Sequence, residues 1–207
     1  MNDQYNQPTI SEGALNIMRA AEELFAEFGY TGTSMNDIAQ KSGVSKANIF
    51  HHFENKEALY LAVLKQASQE ICGLINEINQ PGLSAEEQIQ QFSIQHLNNL
   101  FKKSLITRLI LREMQDDNGQ QNVRMARDVL GENFSRIVEL IKKAQQEGRI
   151  KNTIPAALIA MSIVAGNVFY FQVHKFLDQF PELVGATDIK SYSSTLSEII
   201  LHGILTA

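Results

Sequence analysis

The sequence is poor in cysteine and in long apolar runs. Its single thiol, Cys72, cannot form an internal disulfide, and it is better explained as a small core residue than as a reactive group. No apolar run reaches the roughly 18 residues that a membrane span requires. The N-terminus, MNDQYNQPTISEG, is polar and is not typical of an export signal. These absences predict a cytoplasmic protein with no membrane partner.

Signals of catalysis are absent as well. The five histidines have no spacing that would pair them with Cys72 or with carboxylates in a metal site. Neither a phosphate-binding glycine loop nor a nucleophile motif is found. An enzyme is therefore not expected, and the sequence predicts no metal and no cofactor.

Strand patterns, internal repeats and low-complexity segments are also missing. The 207 residues are 44% hydrophobic and 20% charged, which is ordinary for a folded chain with a substantial core. Apolar residues recur at helical spacing along the whole chain. The sequence therefore predicts an all-α protein.

Capping residues and glycines predict where the helices begin and end. The first helix begins near Ser11 and ends at Gly29, and side-chain oxygens at 33 and 34 can cap a short second helix that Gly43 ends. Ser45 caps a third helix, and Asn55 begins the fourth. The later helices are predicted at 56–79, 84–103, 104–116, 121–147, from 153 onwards, and from 188 to the terminus.

The region 33–53 carries the clearest functional signal. Ile49 and Phe53 of the third helix can pack onto the second, which leaves an outer face suited to the major groove of DNA. The stretch GVSKANIFHHFENKEAL resembles the recognition helix and following turn of the TetR-type transcriptional repressors, and GYTGTSMNDIAQKS resembles their second helix with its lead-in. The resemblance covers roughly residues 14 to 62.

This resemblance implies an all-α protein of about nine helices. A flexible arm at 1–10 would precede a helix-turn-helix DNA-binding domain at 11–55 and a larger helical domain at 56–207 for effector binding and dimerisation. The implied function is a homodimeric repressor that a small-molecule effector releases from a palindromic operator in double-stranded DNA. The two recognition helices would lie about one DNA turn apart, roughly 34 to 36 Å. An activator, or a ligand-independent architectural protein, remains the alternative.

The residues expected to contact DNA lie at helix starts and on the outer face of the third helix. Lys46 and Asn48 can donate to base edges or phosphates, and Ala47 can contact a thymine methyl group. Phe50 stands where the family usually has tyrosine, so apolar contact with bases or sugars replaces a hydroxyl contact to phosphate. Contacts with the DNA backbone are assigned to Thr33, Ser34, Ser45, His51, His52 and Lys56.

Charge lends this interpretation only slight support. The net charge of the chain is −5, and between residues 33 and 56 three lysines oppose Asp37 and Glu54, which leaves +1. We therefore expect modest non-specific affinity for DNA and a dependence on the two recognition helices of a dimer. Amides at helix N-termini would add phosphate contacts.

A partly apolar effector pocket is expected between the helices of the second domain. Methionine and aromatic side chains with a few polar groups suit such a site, although most of these residues are equally compatible with an ordinary core. The candidates are Phe92, His96, Leu100, Leu111, Met114, Met125, Phe134, Met161, Asn167, Tyr170, Phe171 and His174.

Dimerisation is expected through the two apolar C-terminal helices of each chain. The small residues Ala160, Ala165 and Gly166 are interpreted as interface positions, with close packing inside one subunit as the alternative. The charged row in TRLILREMQ is interpreted as a solvated face or as intrahelical pairing.

Overall fold

The structure is a computed structural model that describes residues 11–78, 82–115, 120–183 and 188–204, with side chains described except at 67–77, 113, 115, 120–130 and 204. The predicted arm at 1–10 lies outside the described residues. The described residues contain nine α-helices and a single 3-10 turn, Pro181–Leu183, and no strand of two or more residues. The helices are α1 Glu12–Gly32, α2 Met35–Ser42, α3 Lys46–His52, α4 Lys56–Ile78, α5 Ala85–Lys102, α6 Ser104–Gln115, α7 Gln120–Gln146, α8 Ala156–Leu177 and α9 Ile189–Ile204. The all-α prediction is confirmed.

Most of the predicted helix caps are confirmed by hydrogen bonds, but α8 begins at Ala156 with Pro155 as its N-cap and no side-chain cap, so the predicted start at 153 is wrong. Oγ of Ser45 accepts the backbone N–H of Asn48 at 3.3 Å, and Oδ1 of Asn55 accepts that of Ala58 at 2.8 Å. Ser84 and Glu87 form the predicted capping box at the start of α5. Each cap satisfies an amide that has no partner inside its helix, so these starts follow from local sequence alone.

The N-terminal head, α1 to α3, is built on one apolar core. Phe25 of α1, Ile38 of α2 and Ile49 of α3 are buried against each other and against Tyr60 of α4. Ile106 and Leu109 of α6 belong to the same core. The head therefore does not pack alone, because it shares its interior with two helices that continue into the rest of the chain.

The remaining helices form a second core. Ile89 of α5, Ile141 of α7, Ile159 of α8 and Leu201 of α9 are buried together, and Ile78 at the end of α4 joins them. The two cores are joined by α4, which reaches both, and by α6, which packs against α1 in the head and against α5 and α7 in the bundle. The relative placement of the head and the bundle is thus set by side chains of these two helices.

α8 is the most apolar helix of the part that the structure describes. By length and composition alone it could cross a membrane, since an 18-residue window within it has a mean hydropathy of 1.7. This departs from the expectation that no segment is long enough, because isolated polar residues such as Ser162 and Asn167 do not lower the average much. Ile159, Ala160 and Ile163 of this helix are packed in the second core, as in the central helix of a bundle.

Gly29 marks a break within α1 rather than its end. Its φ of 78° and ψ of 172° are open to glycine but strained for other residues, and α1 resumes for one short turn to Gly32. A Cβ at this position would lie 3.0 Å from Nη2 of Arg112, whose guanidinium donates to the carbonyl of Phe25 at 2.8 Å. Arg112 is exposed, as expected of a solvated row, but its guanidinium is held by an acceptor on α1 rather than by a partner within α6.

Replacing Gly29 by alanine should lower the free energy of unfolding by about 1–3 kcal/mol, because the backbone conformation is strained for any residue with a Cβ. The matched control is Gly131→Ala in α7, where an added Cβ meets nothing within 4 Å. That change should stabilise the chain by about 0.5–1 kcal/mol, because alanine loses less conformational freedom in a helix. Thermal denaturation followed by circular dichroism measures the change in stability of each variant. Equal changes for the two variants would contradict the helix break at Gly29.

Candidate nucleic-acid interface and ligand cavity

α3 is presented outward by a single buried anchor. Ile49 is fully buried beneath the helix, and Ser45 caps its first turn. The side chains on the opposite face are exposed: Lys46, Ala47, Asn48, Phe50 and His51. The aromatic ring of Phe50 is 43% exposed. A phenylalanine with only a structural role would be expected to be buried.

The turn between α2 and α3 holds this helix at a defined angle. Gly43 adopts a left-handed conformation with φ of 68°, and Val44 packs against the head core. At the start of α2, Ser34 and Asp37 form a capping box in which Oγ of Ser34 also donates to Asp37 at 2.7 Å. The Ser34 hydroxyl is exposed but already engaged, whereas Ser45 is exposed and accepts only a backbone amide.

Two residues assigned to the DNA backbone have their polar atoms turned inward. Thr33 is only 3% exposed, and its hydroxyl donates to the carbonyls of Leu24 and Gly29. Nζ of Lys56 donates to the carbonyls of Tyr30 at 2.8 Å and Thr33 at 3.0 Å. Both side chains satisfy carbonyls exposed by the break in α1, so their assignment as phosphate contacts is corrected.

The lysines of this surface differ in whether their ammonium groups already have partners within the protein. A hydrogen bond to Glu23 raises the pKa of Lys41, and the two groups form an ion pair at 2.7 Å. Burial lowers the pKa of Lys56, whose ammonium lies 4.3 Å from the Tyr30 ring centroid. Lys46 is exposed and has no ion pair with any residue that the structure describes. His52 is half-buried, with Nε2 near Gly13 of α1.

A cavity of about 400 Å³ lies between α5, α6, α7 and α8, with Leu64 of α4 at one wall. Six of the predicted pocket residues line it: His96, Leu100, Leu111, Met114, Phe134 and Met161. The remaining lining residues were not predicted. They are Leu64, Asn99, Lys103, Ile106, Thr107, Ile110, Asn133, Ile137, Val164, Ala165 and Val168. A sequence signal existed for three of them, since Asn99, Lys103 and Thr107 continue the helical spacing from His96.

Five other predicted pocket residues do not line the cavity. Phe92 lies in the second core and stacks on His96, with ring centroids 5.4 Å apart. Tyr170, Phe171 and His174 lie around Phe101 in a separate aromatic cluster, because they occupy another face of α8 from Val164 and Val168. Asn167 is fully buried behind the cavity wall. The side chain of the twelfth candidate, Met125, lies outside the described residues.

Asn167 fixes the tautomer of His96, that is, which ring nitrogen carries the proton. Nδ2 of Asn167 donates to the carbonyl of Ser93 at 3.0 Å and lies 3.1 Å from Nδ1 of His96, while its Oδ1 accepts the Ser93 hydroxyl. Because an amide nitrogen can only donate, Nδ1 must be the acceptor and the ring proton must sit on Nε2. Burial lowers the pKa of His96 to about 4, so the ring is neutral at physiological pH.

The outer face of α8 is apolar and uncovered in the single chain. Five exposed residues lie along this face at spacings of three, four or seven residues, and we name them the outer stripe. They are Leu158, Met161, Ala165, Phe169 and Phe176. Phe169 is 62% exposed, and Ile199 of α9 is also exposed. An exposed apolar strip of this kind is typical of a protein–protein contact.

The three small residues of α8 do not share one role. Ala160 is fully buried in the second core, and a Cβ on Gly166 would lie 2.7 Å from Cδ2 of Leu196 in α9. Close packing inside the subunit therefore explains Ala160 and Gly166, which corrects their interpretation as interface positions. Ala165 is exposed on the outer stripe.

Comparison with known proteins finds a match to the N-terminal part of the chain. Residues 17–63 match the family model described as bacterial regulatory proteins, tetR family. The HTH-type transcriptional regulator RutR of Escherichia coli K12 is 50% identical over 50 residues, which is 24% of this chain and 24% of RutR. The matched segment thus spans about a quarter of that relative.

Similarity of fold extends over more than nine-tenths of the chain. The fatty acid degradation regulator FadR from Bacillus halodurans superposes with a TM-score of 0.77 at 18% identity, covering 93% of this chain and 96% of that one. The transcriptional regulator FadR from Bacillus subtilis in complex with stearoyl-CoA gives a TM-score of 0.72 at 21% identity, covering 91% and 98%. At such identities the likeness establishes the arrangement of helices.

We expect His96 to stay neutral, with its proton on Nε2, as the pH falls from about 7 to about 5, a range in which an ordinary histidine becomes charged. Because the folded-state pKa lies below that of the unfolded chain, unfolding takes up a proton in this range, and stability is lost as the pH falls through the unfolded-state value. Nitrogen-15 chemical shifts of the ring measure the tautomer and charge. A proton on Nδ1, or a positive charge within the range, would contradict the assignment.

Proposed function

We propose that this chain is a sequence-specific DNA-binding transcriptional regulator, because residues 17–63 match the family model of the tetR bacterial regulatory proteins. It acts as a homodimeric repressor that a small-molecule effector releases from a palindromic operator. Its place of action is the cytoplasm, and it performs no catalysis. The observation that supports this proposal most directly is the exposed face of α3 above the buried Ile49.

Recognition of DNA is assigned to the first turns of α3. Lys46 and Asn48 are exposed there and carry donors for base edges or phosphates, while Ala47 and Phe50 supply apolar contact. Ser45, Ser34, His51 and the half-buried His52 surround this face and contact the backbone. Since Lys46 is the one lysine of α3 and a single lysine gives little affinity, specific binding requires two copies of the helix on one operator.

The second copy is supplied by pairing through the outer stripe. Leu158, Met161, Phe169 and Phe176 leave apolar surface in water in the single chain. Burying that surface against its symmetry-related copy would stabilise a dimer by the hydrophobic effect, and a two-fold axis would present the recognition helices to a palindrome.

The effector site is the cavity beneath the stripe. Its volume of about 400 Å³ lies within the range of small-molecule sites, and its wall is predominantly apolar. A structural neighbour, FadR from Bacillus subtilis, was solved with stearoyl-CoA, which supports a partly apolar ligand for this fold. Polar groups in the wall, among them His96 and Asn99, would orient the ligand.

Release from DNA follows from the position of α6. Ile106 and Ile110 line the cavity and also contact the head core, and Arg112 of the same helix donates to Phe25 of α1. A ligand that favours a displaced α6 therefore also displaces α1. Leu64 gives α4 the same double role. A shift of a few ångströms between the two heads would be enough to lose base contacts, because hydrogen bonds are short-ranged.

Replacing both Lys46 and Asn48 by alanine should weaken specific DNA binding at least about 100-fold, since each base contact contributes roughly 1–3 kcal/mol of discrimination. The duplex for this test is the one that the wild-type protein enriches from a random pool, and fluorescence anisotropy measures the affinity. Lys142→Ala, which removes a surface charge of α7, is the control and should bind normally. Unchanged affinity in the double variant, with its helicity intact, would refute the assignment of α3.

Replacing Phe169 by glutamate should convert the dimer to monomers at micromolar concentration and weaken binding to a two-site duplex, because a charge would have to be buried in the apolar contact. Leu105→Glu on α6 alters a comparably exposed apolar residue outside the stripe and should leave assembly intact. Analytical ultracentrifugation gives the mass of each species. A Phe169→Glu variant that stays dimeric would exclude the stripe as the contact.

A further inference from the structure

Two side chains that line the cavity each present a polar group with no hydrogen-bond partner among the residues that the structure describes. His96 and Asn99 lie one turn apart on α5, each 8% exposed, and both line the cavity. Nε2 of His96 and the side-chain amide of Asn99 make no hydrogen bond with any residue that the structure describes, and neither is sealed from the cavity. Buried polar groups are normally satisfied, so this pair indicates a ligand that supplies the missing bonds.

The donor on His96 is held in place from behind. Asn167 donates both to the Ser93 carbonyl and to Nδ1 of His96, and Phe92 stacks on the ring. The ring can neither flip nor change tautomer without breaking the bond to Asn167. Nε2–H is therefore a fixed donor in a wall that is otherwise largely apolar.

We propose that the effector is an uncharged, mostly apolar molecule with a carbonyl group, and that the carbonyl oxygen accepts hydrogen bonds from His96 Nε2–H and from the amide of Asn99. This inference rests on the proposed effector role of the cavity. The class includes ketones, esters and amides, which offer an acceptor and no charge. A volume of about 400 Å³ lies within the range of small-molecule sites.

The other polar groups of the wall have different roles. The Thr107 hydroxyl donates to the carbonyl of Leu100, and Asn133 already has an interaction of its own. Lys103 is the cationic residue among those that line the cavity, and it likewise already has an interaction of its own. A ligand carboxylate would lose its hydration on entering the cavity and would meet a neutral imidazole at His96. This cost favours a ligand with an uncharged carbonyl group. The matching acid is nevertheless the necessary comparison.

Butyrophenone, butylbenzene and 4-phenylbutanoate form a suitable probe set for the full-length protein, because the first two differ by one carbonyl in place of a methylene. Isothermal titration calorimetry should show the ketone binding roughly three- to tenfold tighter than the hydrocarbon, the range expected for a net hydrogen bond in a buried site. Equal affinity of the ketone and the hydrocarbon, or tighter binding of the acid, overturns the proposal.

Two substitutions assign the preference to the named atoms. His96→Phe removes the donor while keeping a ring against Phe92, and should reduce the ketone preference to about unity; His96→Gln keeps an N–H near the same position and should retain most of it. Asn99→Leu gives a second measure should His96→Phe lower the melting temperature. A preference that is unchanged in both His96→Phe and Asn99→Leu overturns the assignment.

Failure of this proposal is distinct from failure of the regulator role. Anisotropy with the selected duplex, in the presence and absence of butyrophenone, separates the two. Ketone-selective binding without loss of DNA affinity keeps the ligand class and contradicts release by that ligand. Absence of binding by all three probes overturns the ligand class, while DNA binding that depends on Lys46 still supports the regulator.

Discussion

The architecture depends on two helices that join the head to the bundle: α4, which serves both apolar cores, and α6, which serves the head core and packs against α5 and α7. Leu59 and Leu64 of α4, with Ile106 and Leu109 of α6, are buried with the head, while Ile78 at the far end of α4 is buried with the bundle. Neither core would be complete without α4. Since packed interiors resist gradual deformation, a change in the orientation of α6 cannot be confined to one half of the chain.

Polar contacts at the break in α1 fix how the helices that share this packing are placed relative to one another. Glycine geometry at Gly29 leaves carbonyls that the helix cannot satisfy, and Thr33, Lys56 and Arg112 donate to carbonyls on both sides of the break. An unsatisfied buried carbonyl would cost roughly 1–3 kcal/mol, so each donor has a structural reason to stay. The end of α1, the start of α2 and the end of α6 are thereby held in one register.

Sequence reasoning recovers the features that depend on neighbours along the chain. Caps at Ser45, Asn55 and Ser84 and the outward face of α3 follow from short-range geometry, and the structure has them. Residues whose role depends on the rotation of one helix against another were misassigned. Lys56 found acceptors 23 and 26 residues away, and Tyr170 faces an aromatic cluster because α5 and α9 cover that side of α8. Spacing cannot reveal which face a distant helix will cover.

Met161 and Ala165 belong both to the outer stripe and to the lining of the cavity. In a pair of chains joined along the stripe, the neighbouring subunit would stand over this part of the rim. Exchange of a bound molecule would then be slower in the pair than in separated chains, and the lifetime of the liganded state would depend on protein concentration. The kinetics of response would be governed by assembly as well as by affinity.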